Sequence, residues 1–264
     1  MTLALQGRTA LITGSSRGIG AAIARELAAQ GARVVIHCNR KLDSARALQA
    51  EIEQARGAAA ILQADLSSAE QAVDLVRGAA EIYGGLDILV NNAGIIAGKM
   101  LDTLTAEQID QVLAVNVRAP LLTSREFARL RPQGRPGGRI VNISSVAARV
   151  PSGGSSLYAA SKAAVESLTR SHATELGPAG ITVNAVAPGT TETDMVAETF
   201  PQAMRDIIVR GTALGRLGQP ADIARVVAFL CSDAAGWITG QAIGADGGMV
   251  TGAFNLSRAA APPA

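Results

Sequence analysis

The sequence predicts an α/β fold, in which one doubly wound parallel sheet of about seven strands carries helices on both faces. Short apolar runs rich in Val and Ile alternate along the chain with longer helical segments, which is typical of a parallel sheet covered by helices. Some runs, such as Asp87-Ile-Leu-Val90, are apolar almost throughout, as strands buried on both faces are. Their even spacing, with no linker and no repeat, predicts a single domain over residues 1–256.

Residues that commonly end strands or cap helices bound the predicted elements. Gly, Asn, Asp or Pro flanks the runs that we predict as strands, at residues 8–13, 33–38, 58–63, 86–90, 139–143, 181–187 and 241–245. Helices are predicted at residues 18–30, 44–56, 69–83, 106–130, 156–176 and 221–230. Ser67 or Ser68 is a candidate N-cap of the third helix. The Ala- and Pro-rich residues 257–264 are predicted to be a flexible tail.

The composition excludes several kinds of site. The chain of 264 residues has two histidines, His37 and His172, and two cysteines, Cys38 and Cys231. These are too few for a His/Cys zinc cluster or a disulfide framework. One Trp, two Tyr and four Phe argue against stacking on single-stranded nucleic acid. Acid–base chemistry is therefore expected from other side chains, without a metal.

The charges are scattered, and a formal net charge of +2 fits a small anionic ligand as well as a larger partner. One local cluster consists of Arg125, Arg129, Arg131, Arg135 and Arg139. It fits either an anionic partner or a solvated helix end and loop, and we favour the solvated interpretation. No apolar run reaches the ~18–20 residues that cross a bilayer, and residues 1–6 lack the features of a signal peptide. We expect a cytoplasmic protein with no membrane and no nucleic acid as partner.

A glycine-rich turn follows the first predicted strand. It reads Thr13-Gly-Ser-Ser-Arg-Gly-Ile-Gly20 and leads directly into a helix. Glycines allow a tight turn and a close approach of the backbone to a diphosphate. The helix N-terminus adds free N–H groups and the positive end of its dipole. This strand–turn–helix context predicts a phosphate-binding turn.

The motifs along the chain resemble, in order, those of the short-chain dehydrogenase/reductase family. The turn has the spacing Gly-x-x-x-Gly-x-Gly, and later motifs are Asp65-Leu66, Asn91-Asn-Ala-Gly94, Asn116, Ile143-Ser-Ser145, Tyr158-Ala-Ala-Ser-Lys162 and Pro188-Gly189 with Thr193. The resemblance extends from about residue 5 to residue 250 and implies a Rossmann-type fold that binds a nicotinamide dinucleotide. It implies cofactor contacts at Gly14, Ser16, Arg17, Gly18, Ile19 and Gly20, at Asp65 and Leu66 beside the adenine, and at Asn92, Ala93 and Gly94 towards the ribose.

The end of the second predicted strand bears on the choice of cofactor. A carboxylate there would accept from both ribose hydroxyls and select NAD, but the segment reads His37-Cys-Asn-Arg-Lys41. Cations and donors for a 2′-phosphate are present instead at Arg17, Asn39, Arg40 and Lys41. In the family this arrangement implies that NADP(H) is preferred over NAD(H). The alternative is that Arg40 and Lys41 point to solvent.

Tyr158 and Lys162 are four residues apart in a helical segment and therefore share one face. Tyrosine, with a pKa of ~10, is a poor acid–base catalyst near neutrality unless its phenolate is stabilised. A cation one turn away and an oxidised nicotinamide would stabilise it. This spacing downstream of Ser145 predicts a catalytic set.

The resemblance implies a role for each member of this set. Tyr158 exchanges a proton with the substrate oxygen, Ser145 supports the charge on that oxygen, and Lys162 lowers the pKa of the tyrosine and holds the nicotinamide ribose. Ser144 is the alternative to Ser145, since neighbouring residues of a strand face opposite ways. Asn116 is implied to lie in a helix irregularity and to hold a water that relays protons to Lys162.

Residues beyond the sixth predicted strand resemble the loop that holds the nicotinamide carboxamide. The implied contacts are Pro188, Gly189, Thr191 and Thr193. Residues 195–215 are then a candidate substrate lid, whose apolar contacts are Met195, Val196, Phe200, Met204 and Ile207. Core packing of two helices is the alternative.

The pattern is most similar to 3-oxoacyl-carrier-protein reductases and to bacterial sugar or polyol dehydrogenases. Carrier-protein reductases often have a basic residue where this chain has Ala179, before Gly180. We therefore expect an NADP(H)-dependent oxidoreductase that transfers hydride between the nicotinamide and a carbonyl or secondary alcohol. The alternatives are a 3-oxoacyl-carrier-protein reductase and a non-catalytic NADP-sensing regulator. A second apolar face of helix 156–176 and the segment 237–248 match the subunit interfaces of the family, which implies a homotetramer or a dimer.

Overall fold

The predicted doubly wound sheet is confirmed. The computed structural model describes residues 3–131, 137–150 and 152–249, and the predicted tail at 257–264 lies outside them. The strands are β1 (Thr9–Ile12), β2 (Arg33–Cys38), β3 (Ala58–Gln63), β4 (Ile88–Asn91), β5 (Gly138–Ile143), β6 (Ile181–Pro188) and β7 (Ala242–Ala245). The helices are α1 (Gly18–Ala29), α2 (Leu42–Gln54), α3 (Ala69–Ile82), α4 (Ala106–Leu113), α5 (Ala119–Leu130), α6 (Ser156–Leu176), α7 (Asp194–Thr199), α8 (Gln202–Gly211) and α9 (Pro220–Cys231).

The predicted helix over residues 106–130 is divided into α4 and α5 by a π-helical segment, Ala114–Arg118. Pro120 lies in the first turn of α5 and has no N–H to donate to the carbonyl of Asn116, four residues earlier, which favours irregular winding there. The other predicted bounds are correct to within two residues. Helix α2 ends two residues earlier than predicted, before Arg56, because that residue adopts a left-handed φ of 64°.

The order of the strands decides where a site can form. All seven strands pair in parallel, in the order β3-β2-β1-β4-β5-β6-β7. The chain therefore builds the sheet outward in one direction from β1 and then in the other from β4. Ligands of such sheets bind outside the carboxyl ends of the strands at this reversal, which here is the edge formed by β1, β4 and β5.

Two apolar layers hold the helices against the sheet. Consecutive strand residues supply opposite layers, since Ile12 packs with α1 and α9 on one face while Leu11 packs with α3 and α5 on the other. Both side chains are fully buried, which explains why the strands read as continuous apolar runs.

Below this edge, buried polar side chains form a series of hydrogen bonds that runs from α5 across β4 and β5 to α6. Asn91 of β4 donates to the Oδ1 of Asn142 of β5 at 2.9 Å and accepts from Thr123 of α5 at 2.7 Å. Asn142 in turn donates to the hydroxyl of Thr169 of α6 at 2.9 Å. Since buried amides are costly when unpaired, these bonds fix the positions of α5 and α6 relative to the sheet.

The solvated interpretation of the arginine cluster is wrong for two of its members. Arg139 is 4% exposed and donates to the carbonyl of Ser232 at 3.3 Å. Arg131 donates to the carbonyl of Leu86 at 3.0 Å and lies 3.6 Å from Asp87. Both guanidinium groups cover the amino ends of strands, a tertiary role that a charge pattern does not reveal. Arg125 and Arg129 are exposed as expected, and Arg135 lies outside the described residues.

No helix in the described part of the chain combines the length and the apolar character that a membrane span requires.

Candidate active site

The glycine-rich turn joins β1 to α1 in a conformation that needs its glycines. Gly14 and Gly18 have φ values of +63° and +57°, in the left-handed region that glycine adopts without steric cost. A Cβ atom on Gly14 would lie 3.0 Å from the Cα of Ala93, and one on Gly20 would lie 2.4 Å from the carbonyl oxygen of Gly14. Glycine is thus required here for the turn to close against the segment after β4.

Side chains on both sides of β1 and β4 hold this turn. The amide of Asn92 donates to the carbonyl oxygens of Thr13 at 2.8 Å and Gly14 at 3.0 Å. The Thr13 hydroxyl accepts from the N–H groups of Asn92 and Ala93. The side chain of Asn92, which the family pattern places towards the ribose, is therefore committed to the turn. The first turn of α1 contains no acidic side chain, so its positive end suits a phosphate.

His37, which no motif singles out, also contacts the turn. Its Nδ1 accepts from the N–H of Gly14 at 2.9 Å, and its Nε2 lies 3.0 Å from the carbonyl oxygen of Ala64. Burial lowers the pKa of His37, against the opposing effects of the bond to Ala64 and the charge of Asp65. A single histidine at the end of a strand has no recognisable spacing, so only its place beside the glycine turn could have indicated this role.

The residues expected near a 2′-phosphate lie at the carboxyl end of β2 and in the turn. Asn39, Arg40 and Lys41 are exposed. The side chain of Arg17 is 47% exposed, and its guanidinium lies 3.9 Å from the carboxylate of Asp194 at the start of α7. These groups are free to reorient towards an anion at little cost, since an exposed ion pair is weak.

Asp65 and Leu66 follow β3 on the adenine side. The carboxylate of Asp65 accepts from the N–H and the hydroxyl of Ser67 at 2.9 and 2.8 Å. These bonds hold the pKa of Asp65 below its usual range, and the charge of Arg40 adds to the effect. Leu66 is 5% exposed and packs in the core, so its backbone rather than its side chain is available to a base.

Helix α6 presents Tyr158 and Lys162 on one face, as their spacing predicts. The ammonium of Lys162 lies 5.7 Å from the centre of the Tyr158 ring. Burial raises the pKa of Tyr158, and a hydrogen bond with Ser145 opposes that rise. In the protein alone, burial thus outweighs the lowering of this pKa that was expected from the lysine, and the phenol holds its proton at neutral pH.

Lys162 is buried with its ammonium against the end of β5. It is 4% exposed, and Nζ donates to the carbonyl oxygen of Ile143 at 2.7 Å. Burial lowers the pKa of Lys162 to about 8. A Cβ atom on Gly94 would approach Nζ to 3.2 Å, so the glycine at this motif position leaves room beside the ammonium.

The two serines after β5 face opposite ways. Ser144 is buried, and its hydroxyl lies 3.3 Å from the carbonyl oxygen of Lys162 and 3.2 Å from the carboxylate of Glu166, either of which can accept its one proton. Arg149 pairs with the same carboxylate at 3.3 Å. Ser145 is the serine whose interaction lowers the pKa of the phenol, so of these neighbouring residues one hydroxyl packs against α6 and the other faces the tyrosine.

Asn116 lies in the π-helical segment, in the irregularity that the family pattern implies. Its Oδ1 accepts from the N–H of Ile95 at 2.9 Å, and its Nδ2 donates to the carbonyl of Ile95 at 2.9 Å and to the hydroxyl of Ser161 at 3.0 Å. These bonds join the segment after β4 to α6. Because both amide protons are used, this side chain can take part in a proton relay only as an acceptor.

The loop after β6 lies against the glycine-rich turn. A Cβ atom on Gly18 would lie 3.4 Å from the methyl group of Thr193, whose hydroxyl caps α7. Thr191 is buried and donates to the carbonyl of Gly189 at 2.9 Å. A Cβ atom on Gly189 would lie 2.8 Å from the Cα of Asp246, so this loop also needs its glycine.

Helices α7 and α8 occupy the candidate lid. Met204 and Ile207 are 47% and 58% exposed, so core packing is wrong for these two residues. Val196 and Phe200 are half-buried, and the side chain of Met195 lies outside the described residues. The candidate lid thus exposes apolar side chains on α8.

The groups at this edge suit an anionic dinucleotide. They combine a helix N-terminus without acidic residues, a turn that only glycine can form, exposed arginines at one end and a lysine–tyrosine–serine set at the other. Among residues 3–131, 137–150 and 152–249, no group of three or more His, Cys, Asp or Glu side chains could hold a metal ion.

Comparison with known proteins gives matches over nearly the whole chain. The family model described as enoyl-(acyl carrier protein) reductase matches residues 14–250. The short-chain dehydrogenase/reductase FrzI of a Cladobotryum species is 43% identical over 94% of this chain and 97% of its own. A short chain dehydrogenase from Burkholderia cenocepacia J2315, solved in complex with NADP, has a TM-score of 0.88 and 46% identity, over 93% of this chain and 99% of that chain.

The angucycline C-6 ketoreductase LanV, solved with bound NADP, has a TM-score of 0.87 and 40% identity, over 94% of this chain and 97% of that chain. Similarity at this level extends through the turn, the strand ends and the tyrosine–lysine helix described above. The chain therefore belongs to the short-chain dehydrogenase/reductase family and is an oxidoreductase.

Proposed function

We propose that the protein is an NADP(H)-dependent carbonyl reductase or alcohol dehydrogenase in which Tyr158 is the acid/base. One observation carries the proposal: the Tyr158 ring lies beside the buried ammonium of Lys162, and its hydroxyl interacts with Ser145. A non-catalytic sensor of NADP would have no need for a phenol paired with a buried lysine, which is costly to keep charged.

Each side chain has a separate role in carbonyl reduction. A bound dihydronicotinamide supplies the hydride that reaches the carbonyl carbon. Tyr158 donates its proton to the carbonyl oxygen, and Ser145 donates a hydrogen bond to the same oxygen as charge develops there. The ammonium of Lys162 stabilises the phenolate that remains. In the direction of oxidation the phenolate takes the proton of the alcohol, so each group acts in reverse.

The basic groups at the adenosine end support a preference for NADP(H). No carboxylate stands at the end of β2, while Arg17 in the turn and Arg40 just after β2 are exposed. A 2′-phosphate would gain charge-assisted bonds from both. The NADP complexes of the Burkholderia dehydrogenase and of LanV are consistent with this preference.

Exposed apolar side chains before α6 and in the candidate lid support an apolar carbonyl substrate rather than a sugar or polyol. Met100 is 60% exposed, and its sulfur lies 3.8 Å from where a Cβ atom on Gly154 would be, four residues before Tyr158. Val150, Met204 and Ile207 are exposed as well. Apolar side chains around an opening favour ligands that bury apolar surface.

The carrier-protein alternative is less well supported. Docking of an acidic carrier would need a cluster of accessible basic residues, yet Arg131 and Arg139 are buried in structural pairs, which leaves Arg125 and Arg129 as the exposed members of the cluster among the described residues. Arg129 pairs with Glu126 at 3.2 Å, and Ala179 stands where carrier-protein reductases often have a basic residue. Reduction of a free carbonyl compound therefore remains the proposal.

We expect Tyr158→Phe to lower kcat for carbonyl reduction by roughly 10²–10⁴-fold, the usual contribution of a general acid. The change leaves the ring in place, so the Kd for NADPH stays within about threefold. Stopped-flow reduction of a panel of ketones and fluorescence titration with NADPH measure the two quantities. Turnover equal to that of the wild type would refute the assigned role.

We expect Arg17→Ala and Arg40→Ala each to weaken NADPH binding about tenfold, the effect of one lost charge-assisted bond. NADH has no 2′-phosphate, so its Kd should change less than threefold. Arg46→Ala is the matched control, because Arg46 is an exposed arginine of α2 that pairs only weakly with Asp43. Equal losses for the two cofactors would contradict the proposed selection.

We expect Lys162→Met to abolish turnover and yet to be at least as stable as the wild type at pH 7. The pKa of Lys162 is about 8 when folded, against an ordinary value of 10.5. Below pH 8 the buried charge costs stability, by up to about 3 kcal/mol if the whole shift counts. The folded state sheds that proton between pH 8 and 10.5, where the unfolded state keeps it, so wild-type stability rises with pH in this window.

Urea unfolding at pH 7, 8, 9 and 10 measures this difference. The advantage of Lys162→Met should shrink as pH rises through the window, whereas Lys99→Met, at an exposed lysine, should follow the wild type at every pH. A variant that is less stable than the wild type at pH 7, with no change on raising the pH, would show that the buried charge carries no such cost.

The assembly is proposed to be a homotetramer. Trp237 is 100% exposed and Phe229 is 45% exposed, a large apolar surface for a single chain to leave in water. Light scattering should give the mass of four 26.9-kDa chains. Trp237 is the only tryptophan of the chain, so its fluorescence should be that of a buried indole. A monomer mass with solvent-exposed emission would exclude the assembly.

A further inference from the structure

The peptide groups of Gly14 are held by side chains from two different strands. Its carbonyl accepts from Asn92 after β4 at 3.0 Å, and its N–H donates to Nδ1 of His37 in β2 at 2.9 Å. Asn92 belongs to a motif of the family, whereas His37 belongs to none. The left-handed conformation of Gly14, with φ of +63°, is thus clamped from both sides of β1.

The ring of His37 bonds on both nitrogens in a single neutral form. Nδ1 accepts from Gly14 and therefore carries no proton, so Nε2 carries it and donates to the carbonyl of Ala64 at 3.0 Å. The residue is 2% exposed, so neither bond has water as a ready substitute. Asp65, the charged group that bears on the ring, lies next to Ala64.

These two bonds connect two parts of the nucleotide site. Gly14 begins the glycine-rich turn, and Ala64 immediately precedes Asp65 and Leu66 on the adenine side. The backbone of His37 reinforces the link, because its N–H donates to the hydroxyl of Ser15 at 3.0 Å and its carbonyl accepts from the N–H of Ser15 at 2.9 Å. The histidine thus joins the phosphate turn to the end of β3 across the end of β2.

We propose that His37 is a positioning residue for dinucleotide binding, whose acceptor bond to the N–H of Gly14 holds the phosphate turn in the conformation that the adenosine half of the cofactor requires. The inference rests on the proposed nucleotide site. His37 lies on the far side of β1 from Ser145, Tyr158 and Lys162, so its effect falls on cofactor affinity and not on the chemical step.

Two substitutions separate the two bonds of the ring. In His37→Asn, the side-chain oxygen is the same number of bonds from Cβ as Nδ1 is in histidine, so it can accept from the N–H of Gly14. The shorter side chain loses the hydrogen bond to the carbonyl of Ala64. In His37→Gln, the amide reaches towards Ala64, while the acceptor for Gly14 is lost. His172→Gln is the matched control, because His172 is the only other histidine and lies on α6, nearly three turns beyond Lys162.

The probes are NADPH and adenosine 2′,5′-bisphosphate, whose dissociation constants are measured by fluorescence titration and calorimetry. We expect His37→Gln to raise both constants about tenfold, as expected for one lost buried hydrogen bond. His37→Asn should restore both to within threefold of the wild type. The kcat at saturating NADPH should change less than twofold in either variant, and the KM for NADPH should follow its Kd. Melting temperatures, measured alongside, identify any general loss of stability.

The outcomes separate this inference from the proposed function. A wild type that binds neither probe overturns the nucleotide site itself. A wild type that binds both, with His37→Gln binding equally well, overturns only the role of His37, as does an affinity loss that His172→Gln shares. If His37→Gln does not fold, His37→Asn decides: affinity within threefold of the wild type supports the clamp on Gly14, and a tenfold loss contradicts it.

Discussion

The close approach of Gly14 to Ala93 is the constraint on which the rest of the site depends. At the reversal between β1 and β4, the two strand ends come near enough that a Cβ atom on Gly14 would lie 3.0 Å from the Cα of Ala93. This contact allows the Asn92 amide to reach the carbonyls of the turn. The segment that continues from Ala93 passes Gly94, where it meets Lys162 and Asn116. One close contact therefore relates the glycine-rich turn to the helix that carries Tyr158 and Lys162.

Lys162 illustrates how the fold accepts a cost in stability at the site. A buried ammonium is disfavoured by desolvation, which is why burial lowers its pKa. The hydrogen bond to the carbonyl of Ile143 stabilises the ammonium, and the absence of a side chain at Gly94 leaves space for it. The same burial raises the pKa of Tyr158, so a proton donor and a cation stand side by side in a region of low polarity. Electrostatic interactions between such groups are stronger there than in water.

Features that depend on local sequence could be predicted, and features that depend on distant contacts could not. The apolar runs predicted every strand to within two residues, because strands buried on both faces consist almost entirely of apolar residues. The motif spacing predicted that Tyr158 and Lys162 share a face. The π-helical break was implied by family resemblance alone, although Pro120 is its local cause. In contrast, nothing near Arg139 in the sequence indicates that it would be buried against Ser232, 93 residues away, and His37 meets its partners only once three strands are assembled.

The polar groups of the site are held chiefly by backbone atoms at the strand ends. Lys162 bonds to the carbonyl of Ile143, Asn116 to both peptide groups of Ile95, and His37 to peptide groups of Gly14 and Ala64. Backbone positions in a seven-stranded sheet are set by the whole core and respond little to single side-chain changes. Helices α7 and α8, the candidate lid, expose Met204 and Ile207 instead of burying them in this core. The candidate lid and the frame of polar groups are therefore supported by different parts of the fold, so side chains of α7 and α8 can change while the frame stays in place.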